Sequence, residues 1–417
     1  MSQPSPGPGR DCVPLPVPLG LYVHIPFCVR KCAYCDFNSY SGLGYLHDSY
    51  VAALCHEIER CSTLPGRDPV DTIYFGGGTP SLLPPESVLA ILNACRGRFE
   101  LVPQAEVTLE ANPGTVEAES LAALFQAGVN RLSLGAQSMN DQELARLGRI
   151  HTAGQVREAM RDARQAGFTN TNLDLIYGLP GQRVPGWRRT LKAALELEPD
   201  HLSLYCLTLE DHTPLARQIL RGAVPQPEPD VAAEMYELAR ELLRAEGFEH
   251  YELSNWARLP DTNAWDDRAS QAQRQGSRCR HNLKYWTGQP YIGFGAGAHS
   301  FVSGVRTYNL SDPRQYIAAV DGGTTAMEGA VPIDSVEALA EAMILGLRLV
   351  EGLRWQDIRS RLGRDPRDKY APELSELQAL GLITLDDTSV RLTARGQLLG
   401  NQVFVRFLPD SASRSLA

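Results

Sequence analysis

The stretch CVRKCAYC places Cys28, Cys32 and Cys35 in a C-x3-C-x2-C spacing. A structural zinc site takes four protein ligands, and no nearby Cys or His completes a fourth. His24 is close, but it lies inside the strand-like run LYVHI. A disulfide framework suits small secreted chains, which this one is not. Three thiolates on a [4Fe–4S] cluster leave one iron open, and an open iron can bind a substrate or a cofactor.

Further residues with chemical potential follow apolar runs. FGGGTPS (75–81) offers Gly77, Gly78 and Thr79, where glycines let the backbone come close to a ligand; a tight structural turn reads the same way. LEANP places Glu110 at the end of the third strand-like run, where it could accept hydrogen bonds from hydroxyls or an ammonium. GAQS carries Gln137, LGRIH carries Arg149, a partner for a carboxylate, and NLDLIYGLP carries Asp174. Taken singly, each polar residue fits a cap or a surface position equally well. CRHNLKYW (279–286) sets His281 and Cys279, both axial-ligand types, beside the aromatics Tyr285 and Trp286. A structural corner with a capping histidine is the plainer reading of that segment. It follows a polar insertion and precedes a Gly-rich run, so an accessible loop is expected.

These segments need a scaffold that brings strand ends together. The runs GLYVHI, DTIYFGG, AEVTLEA, NRLSLGA, NTNLDLIYG and DHLSLYCL alternate with amphipathic stretches such as HDSYVAALCHEIERC. Six βα units in series predict an α/β fold with a parallel sheet, open or curved into a barrel. Sites on such sheets assemble at the C-terminal ends of the strands. The expected organisation is a leader over 1–19, a barrel core over 20–250, an extension over 251–330 with a polar insertion near 261–278, and a C-terminal unit over 331–417. HYELSNWA reads as one further strand. The tail, with helices and a hairpin turned at DDTS, predicts a small winged-helix-like domain.

Composition narrows the class. The 417 residues are 43% hydrophobic with a net charge of −9, so no basic field argues for nucleic acid. No run approaches a membrane span. The other six of nine cysteines, Cys12, Cys55, Cys61, Cys95, Cys206 and Cys279, are scattered, as suits a reducing compartment. The Pro-rich N-terminus lacks the marks of a signal or transit peptide and reads as a disordered leader.

The cysteine triplet after a first strand resembles the radical S-adenosylmethionine (SAM) superfamily. YVHIPFC, FGGGTPS, EANP, DLIYGLPGQ and HNLKYW resemble, more narrowly, the oxygen-independent coproporphyrinogen III oxidases and their relatives, over roughly residues 20–310. The resemblance implies a partial (β/α)6 barrel and a [4Fe–4S] cluster on Cys28, Cys32 and Cys35 that binds SAM. It implies Tyr22, Gly77 and Glu110 at that SAM. Tyr34, Gly78, Thr79, Gln137, Arg149 and Asp174 match positions that contact a second SAM in the oxidase. Phe37 stands where the oxidase carries a further cysteine, and CDFNSY and HNLKYW instead look like the HemW-type heme chaperones. That likeness implies heme as cargo near His281, Asn282, Tyr285 and Trp286. It also implies recipient hemoproteins, a reductant for the cluster and a cytoplasmic setting, with peripheral membrane contact at most. The alternatives are the oxidase itself and a radical-SAM nucleic-acid modifier.

Overall fold

The computed structural model describes residues 17–61, 69–259 and 276–409. Most of the Pro-rich leader and most of the polar insertion lie outside the described residues. Strand β1 (Leu19–Ile25) runs into the cysteine loop, whose ends are joined by a parallel ladder between β2 (Phe27–Cys28) and β3 (Tyr40–Ser41). The expected βα series follows. Strands β4 (Pro69–Gly77), β5 (Glu100–Ala111), β6 (Arg131–Gln137), β7 (Thr171–Tyr177) and β8 (His201–Cys206) pair in parallel, each with its predecessor, and β4 pairs with β1. Connecting helices are α1 (His47–Arg60), α2 (Pro85–Arg98), α3 (Ala118–Ala127), α4 (Asp141–Leu147), α5 (Ala153–Ala166) and α6 (Val184–Leu195), and β8 is followed by α7 (Pro214–Leu220) and α8 (Pro229–Ala245). β1 and β8 are not paired, so the barrel is open.

The strands are buried on both faces, as a parallel sheet under helices requires. In β1, Leu21, Val23 and Ile25 are fully buried, while Gly20, Tyr22 and His24 share the opposite face. A Cβ on Gly20 would lie 2.8 Å from Lys284, so that face looks inward on the barrel. In β4, Ile73 and Phe75 belong to the apolar layer, and Thr72 and Tyr74 to the inner face.

Both edges are extended. HYELSNWA, expected as one strand, is a hairpin of β9 (Phe248–Glu252) and β10 (Asn255–Arg258), because Leu253 and Ser254 form a turn and Glu252 accepts from Ser254 N. Helix α9 (Arg280–Trp286) comes next in the described chain, then β11 (Tyr291–Phe294), which pairs with β1 from its other side. Strands β12 (His299–Val302) and β13 (Val305–Asn309), helix α10 (Pro313–Asp321) and β14 (Met327–Pro332) complete a 12-stranded sheet.

The C-terminal unit has its own core, including Met343, Trp355, Val390 and Phe407. It comprises α11 (Ser335–Gly346), β15 (Leu353–Arg354), α12 (Trp355–Leu362), α13 (Pro366–Ala379) and the hairpin β16 (Ile383–Leu385) and β17 (Ser389–Leu392). Asp386 closes the hairpin turn by accepting from Thr388 N and Ser389 N. No helix among the described residues is long and apolar enough to cross a membrane.

Glu57, on the buried side of α1, ties the β11 end to the barrel. Its carboxylate accepts from Gly295 N (2.8 Å), Tyr316 Oη (2.6 Å) and Asn309 Nδ2 (2.6 Å). Glu57→Ala strands three buried donors, and urea unfolding is expected to show a loss of about 3 kcal/mol or more.

Candidate functional site

One cavity of about 460 Å³ opens at the C-terminal ends of the parallel strands. Cys28, Cys32 and Cys35 line it, all half-buried and none in a disulfide. Their loop is fixed from three directions: by the β2–β3 ladder, by Ala33 N donating to Leu147 O (3.1 Å) and by Leu215 N donating to Ala33 O (2.9 Å). Thr79 Oγ1 donates to Cys28 Sγ (3.6 Å) and Arg149 Nη1 to Cys32 Sγ (3.4 Å). Among the described residues no three His, Cys, Asp or Glu side chains converge on a single metal ion. Three half-buried thiols, none in a disulfide, lining one cavity are the donor type an iron–sulfur cluster takes.

The glycine loop lies beside the cysteines. Gly78 N donates to Ile25 O and Thr79 N to Phe27 O, both at 2.8 Å, so the loop is stitched to the chain entering the cysteine loop. A Cβ on Gly78 would meet Phe27 O at 2.6 Å, and one on Gly77, at φ +115°, would meet the His24 ring at 2.5 Å. The glycines are therefore demanded by packing against β1 and β2, whether or not a ligand also approaches them. Gly78→Ala should break both backbone bonds and lower Tm, a loss read by thermal denaturation of the cluster-free protein.

Glu110 ends β5. It accepts from Tyr74 Oη (2.7 Å) and Gly77 N (3.2 Å), and burial pushes its pKa up to about 7 against these hydrogen bonds. Asp174 accepts from Asn172 Nδ2 (2.9 Å) and Ser133 Oγ (3.1 Å), and burial likewise raises its pKa. Gln137 holds φ +65° at a break in the β6–β7 register, a left-handed conformation that bulky residues keep only where the surroundings enforce it. Arg149 donates from Nη2 to Gly135 O (2.7 Å), and its buried Nε has no hydrogen-bond partner among the described residues. Tyr34 packs on Leu147, Ile176 and Leu179 at the cavity wall.

Gly77, Gly78, Thr79, Glu110, Gln137, Arg149 and Asp174 thus line the same cavity as the cysteines, and so does Asn282. Tyr22, His281, Tyr285 and Trp286 do not. Tyr22 sits behind the cavity with its hydroxyl on His24 Nδ1 (3.0 Å). The CRHNLKYW segment is not an accessible loop but a helix that plugs the barrel interior. His281 is 1% exposed, with Nδ1 on Thr72 Oγ1 and Nε2 on Tyr285 Oη, both at 2.9 Å. Burial, then Lys284 and Arg131, lower its pKa to about 3, so the ring is neutral. Cys279 is fully buried, and burial pushes its thiol up to about 12. Neither has the exposed, free donor atom an axial ligand needs in this conformation. Trp286 lies on the other side, in a groove shared with Trp355 and Arg361 of the C-terminal unit, where Arg348 stacks 4.3 Å over its indole.

Sequence reading missed Tyr74, Ser133, Asn172, Ser203 and Arg131, all of which line the cavity. Their signal was a polar residue at alternate positions of otherwise apolar strands, which marks the inner face. Arg131 is 2% exposed and its Nε has no hydrogen-bond partner among the described residues. Burial opposes its charge, but Cys279, then Glu106 and neighbouring groups, more than offset that, and its pKa stands above the ordinary value.

An open βα barrel with a three-cysteine loop after its first strand and a glycine loop after its second defines a radical SAM protein. The chain matches the Radical SAM superfamily model over residues 22–194 and the HemN C-terminal domain model over 333–399. It is 38% identical over 389 residues to the heme chaperone HemW of Mycobacterium tuberculosis, covering 93% of this chain and 94% of that protein. It is 36% identical over 402 residues to heme chaperone HemW of Escherichia coli, covering 94% and 99%. A solved structure, coproporphyrinogen III oxidase (HemN) from Escherichia coli, a radical SAM enzyme, superposes with a TM-score of 0.79 at 27% identity, covering 94% of this chain and 90% of that one. The chain belongs to the HemW family of radical SAM proteins.

The raised Glu110 pKa has a signed consequence. The folded state keeps a proton that the unfolded chain, at 4.5, gives up first. The stabilisation is complete below about pH 4.5 and is lost as pH rises through about 7. Glu110→Gln should therefore raise Tm relative to the parent more at pH 8 than at pH 5, in paired calorimetric scans.

Proposed function

We propose that this protein is a heme chaperone, binding heme and passing it to recipient hemoproteins, with a [4Fe–4S] cluster that binds SAM. The observation that carries this is the near full-length likeness to proteins named heme chaperones. Cys28, Cys32 and Cys35 would hold the cluster, and Gly77, Gly78, Thr79 and Glu110 would receive SAM beside it. When bound, the pair supplies one-electron cleavage chemistry, given a reductant. The chain's own residues confine the ligand: Glu110 offers a fixed carboxylate, Arg149 a cation beside Cys32, and Tyr34, Gln137 and Asp174 the wall of any further ligand space. For heme, the exposed side of α9, with Trp286 in its groove, is a better contact than His281. The setting is cytoplasmic, without nucleic acid as a partner.

The structural likeness to the oxidase favours a second reading, decarboxylation of coproporphyrinogen III. Phe37, 70% exposed at the cavity mouth, occupies the position of the oxidase's further cysteine and weighs against it.

Anaerobically reconstituted protein should bind about one heme per chain, transfer it to an apo-hemoprotein, and give no protoporphyrinogen from coproporphyrinogen III with SAM and a reductant. Replacing all three cysteines by Ala should remove the iron–sulfur absorbance. Multiple turnovers of coproporphyrinogen would replace the chaperone reading with the oxidase.

A further inference from the structure

Glu110 is useful to a ligand only if its carboxylate stays aimed, and the Tyr74 hydroxyl at 2.7 Å is its shorter tether. Tyr74 has a long side chain on the inner face of β4, so something must hold its ring. The rings of Tyr22, Tyr74 and His281 form a cluster. His281 stacks on Tyr74 with centroids 5.2 Å apart and planes at 28°, Tyr22 on Tyr74 at 6.3 Å and 23°, and Tyr22 lies 6.4 Å from His281. His281 is the ring held most firmly of the three. Thr72, two residues before Tyr74 on the same face of β4, bonds one nitrogen, and Tyr285, one helical turn on, bonds the other. Its backbone is fixed too: the Glu106 carboxylate accepts from Arg280 N (3.1 Å) and His281 N (3.2 Å). The chain of support runs from Glu106 through α9 to His281, then Tyr74, then Glu110.

We infer that His281 is a positioning residue for the SAM pocket, acting through Tyr74 on Glu110. The inference rests on the assignment of that pocket to SAM. Removing the imidazole leaves space into which the Tyr74 ring can drop, and Glu110 then loses its shorter hydrogen bond. Tyr74→Phe removes the same bond at the other end of the link while keeping the ring.

The test is calorimetry of SAM binding to anaerobically reconstituted parent, His281→Ala, His281→Gln, Tyr74→Phe and the Ala/Phe double variant, with iron content, Tm and heme titration measured on each. A hydrogen bond to a charged group is worth about tenfold in affinity. His281→Ala and Tyr74→Phe should each weaken SAM binding by about tenfold with iron content kept. The double variant should be no weaker than the worse single one, since both cut one link. His281→Gln, which keeps a hydrogen-bonding group toward Tyr285, should fall between parent and His281→Ala. Parent-like SAM affinity in either single variant would overturn the inference, as would additive losses in the double variant. Loss of heme binding with SAM affinity kept in His281→Ala would overturn it in favour of heme ligation. Should His281→Ala fail to fold, Tyr74→Phe and His281→Gln decide alone. If the parent itself binds no SAM, the pocket assignment fails first and this inference with it.

Discussion

The hydrogen bond from His24 Nε2 to Asn38 O, at 2.9 Å, joins the end of β1 to the far side of the cysteine loop, and the site depends on it. A carbonyl only accepts, so Nε2 carries the proton and Nδ1 accepts from the Tyr22 hydroxyl. Burial keeps the ring neutral, which that arrangement needs. The same imidazole fills the space above Gly77, and its backbone oxygen accepts from Tyr50 Oη of α1 at 2.8 Å. Asn38 in turn donates to Ala296 O and Ser311 O, reaching the β11 side. One side chain therefore sets the cysteine loop, the glycine loop and the inner aromatic cluster against each other. Its helical and strand neighbours could shift only by breaking several of these bonds at once.

The price of such a site is a polar barrel interior. Glu106 and Arg131 are buried, and Glu110 and Asp174 half-buried, in the space that an unspecialised barrel fills with aliphatic side chains. Buried charges without partners are costly. Here the carboxylates are met by Tyr74, Ser133 and Asn172, by backbone N–H groups of the glycine loop and of α9, and by the field of Arg131. The fold is held instead by the opposite faces of the same strands, where Leu21, Val23, Ile25, Ile73 and Phe75 pack under the helices. Period-two alternation separates the two tasks: one face of each strand stabilises, the next positions chemistry.

That division explains what could be read in advance. The six βα repeats announce themselves through apolar runs and amphipathic stretches, and the cysteine and glycine loops through residue types that few other contexts need. Polar inner-face residues such as Tyr74, Asn172 and Arg131 look like interruptions of a strand until the sheet curves and brings them together. Cys279–Trp286 failed to read as a helix for a different reason. Its N-terminus has no Ser, Thr, Asp or Asn cap, and Cys279 makes no side-chain cap. The cap is Glu106, distant in the chain on β5, whose carboxylate takes the first two N–H groups. A helix nucleated by a tertiary contact leaves no local signature. HYELSNWA failed similarly, since its break depends on the turn at Leu253 and Ser254 rather than on a glycine or proline.

Helix α9 ends up between two spaces. Asn282 lines the inner cavity with the cysteines, and Trp286, four residues on, lines the outer groove against the C-terminal unit. Residues four apart lie on one helix face, separated by about 6 Å along the axis. The helix is pinned at its start by Glu106 and along its length by Lys284, which pairs with Asp71 at 2.6 Å and donates to Pro18 O. It closes with Arg361 donating to Thr287 O, a bond from the C-terminal unit. So short and so fully tethered an element cannot tilt toward one space without moving in the other. One short helix therefore contributes a side chain to each space, and its tethers come from both the barrel and the C-terminal unit.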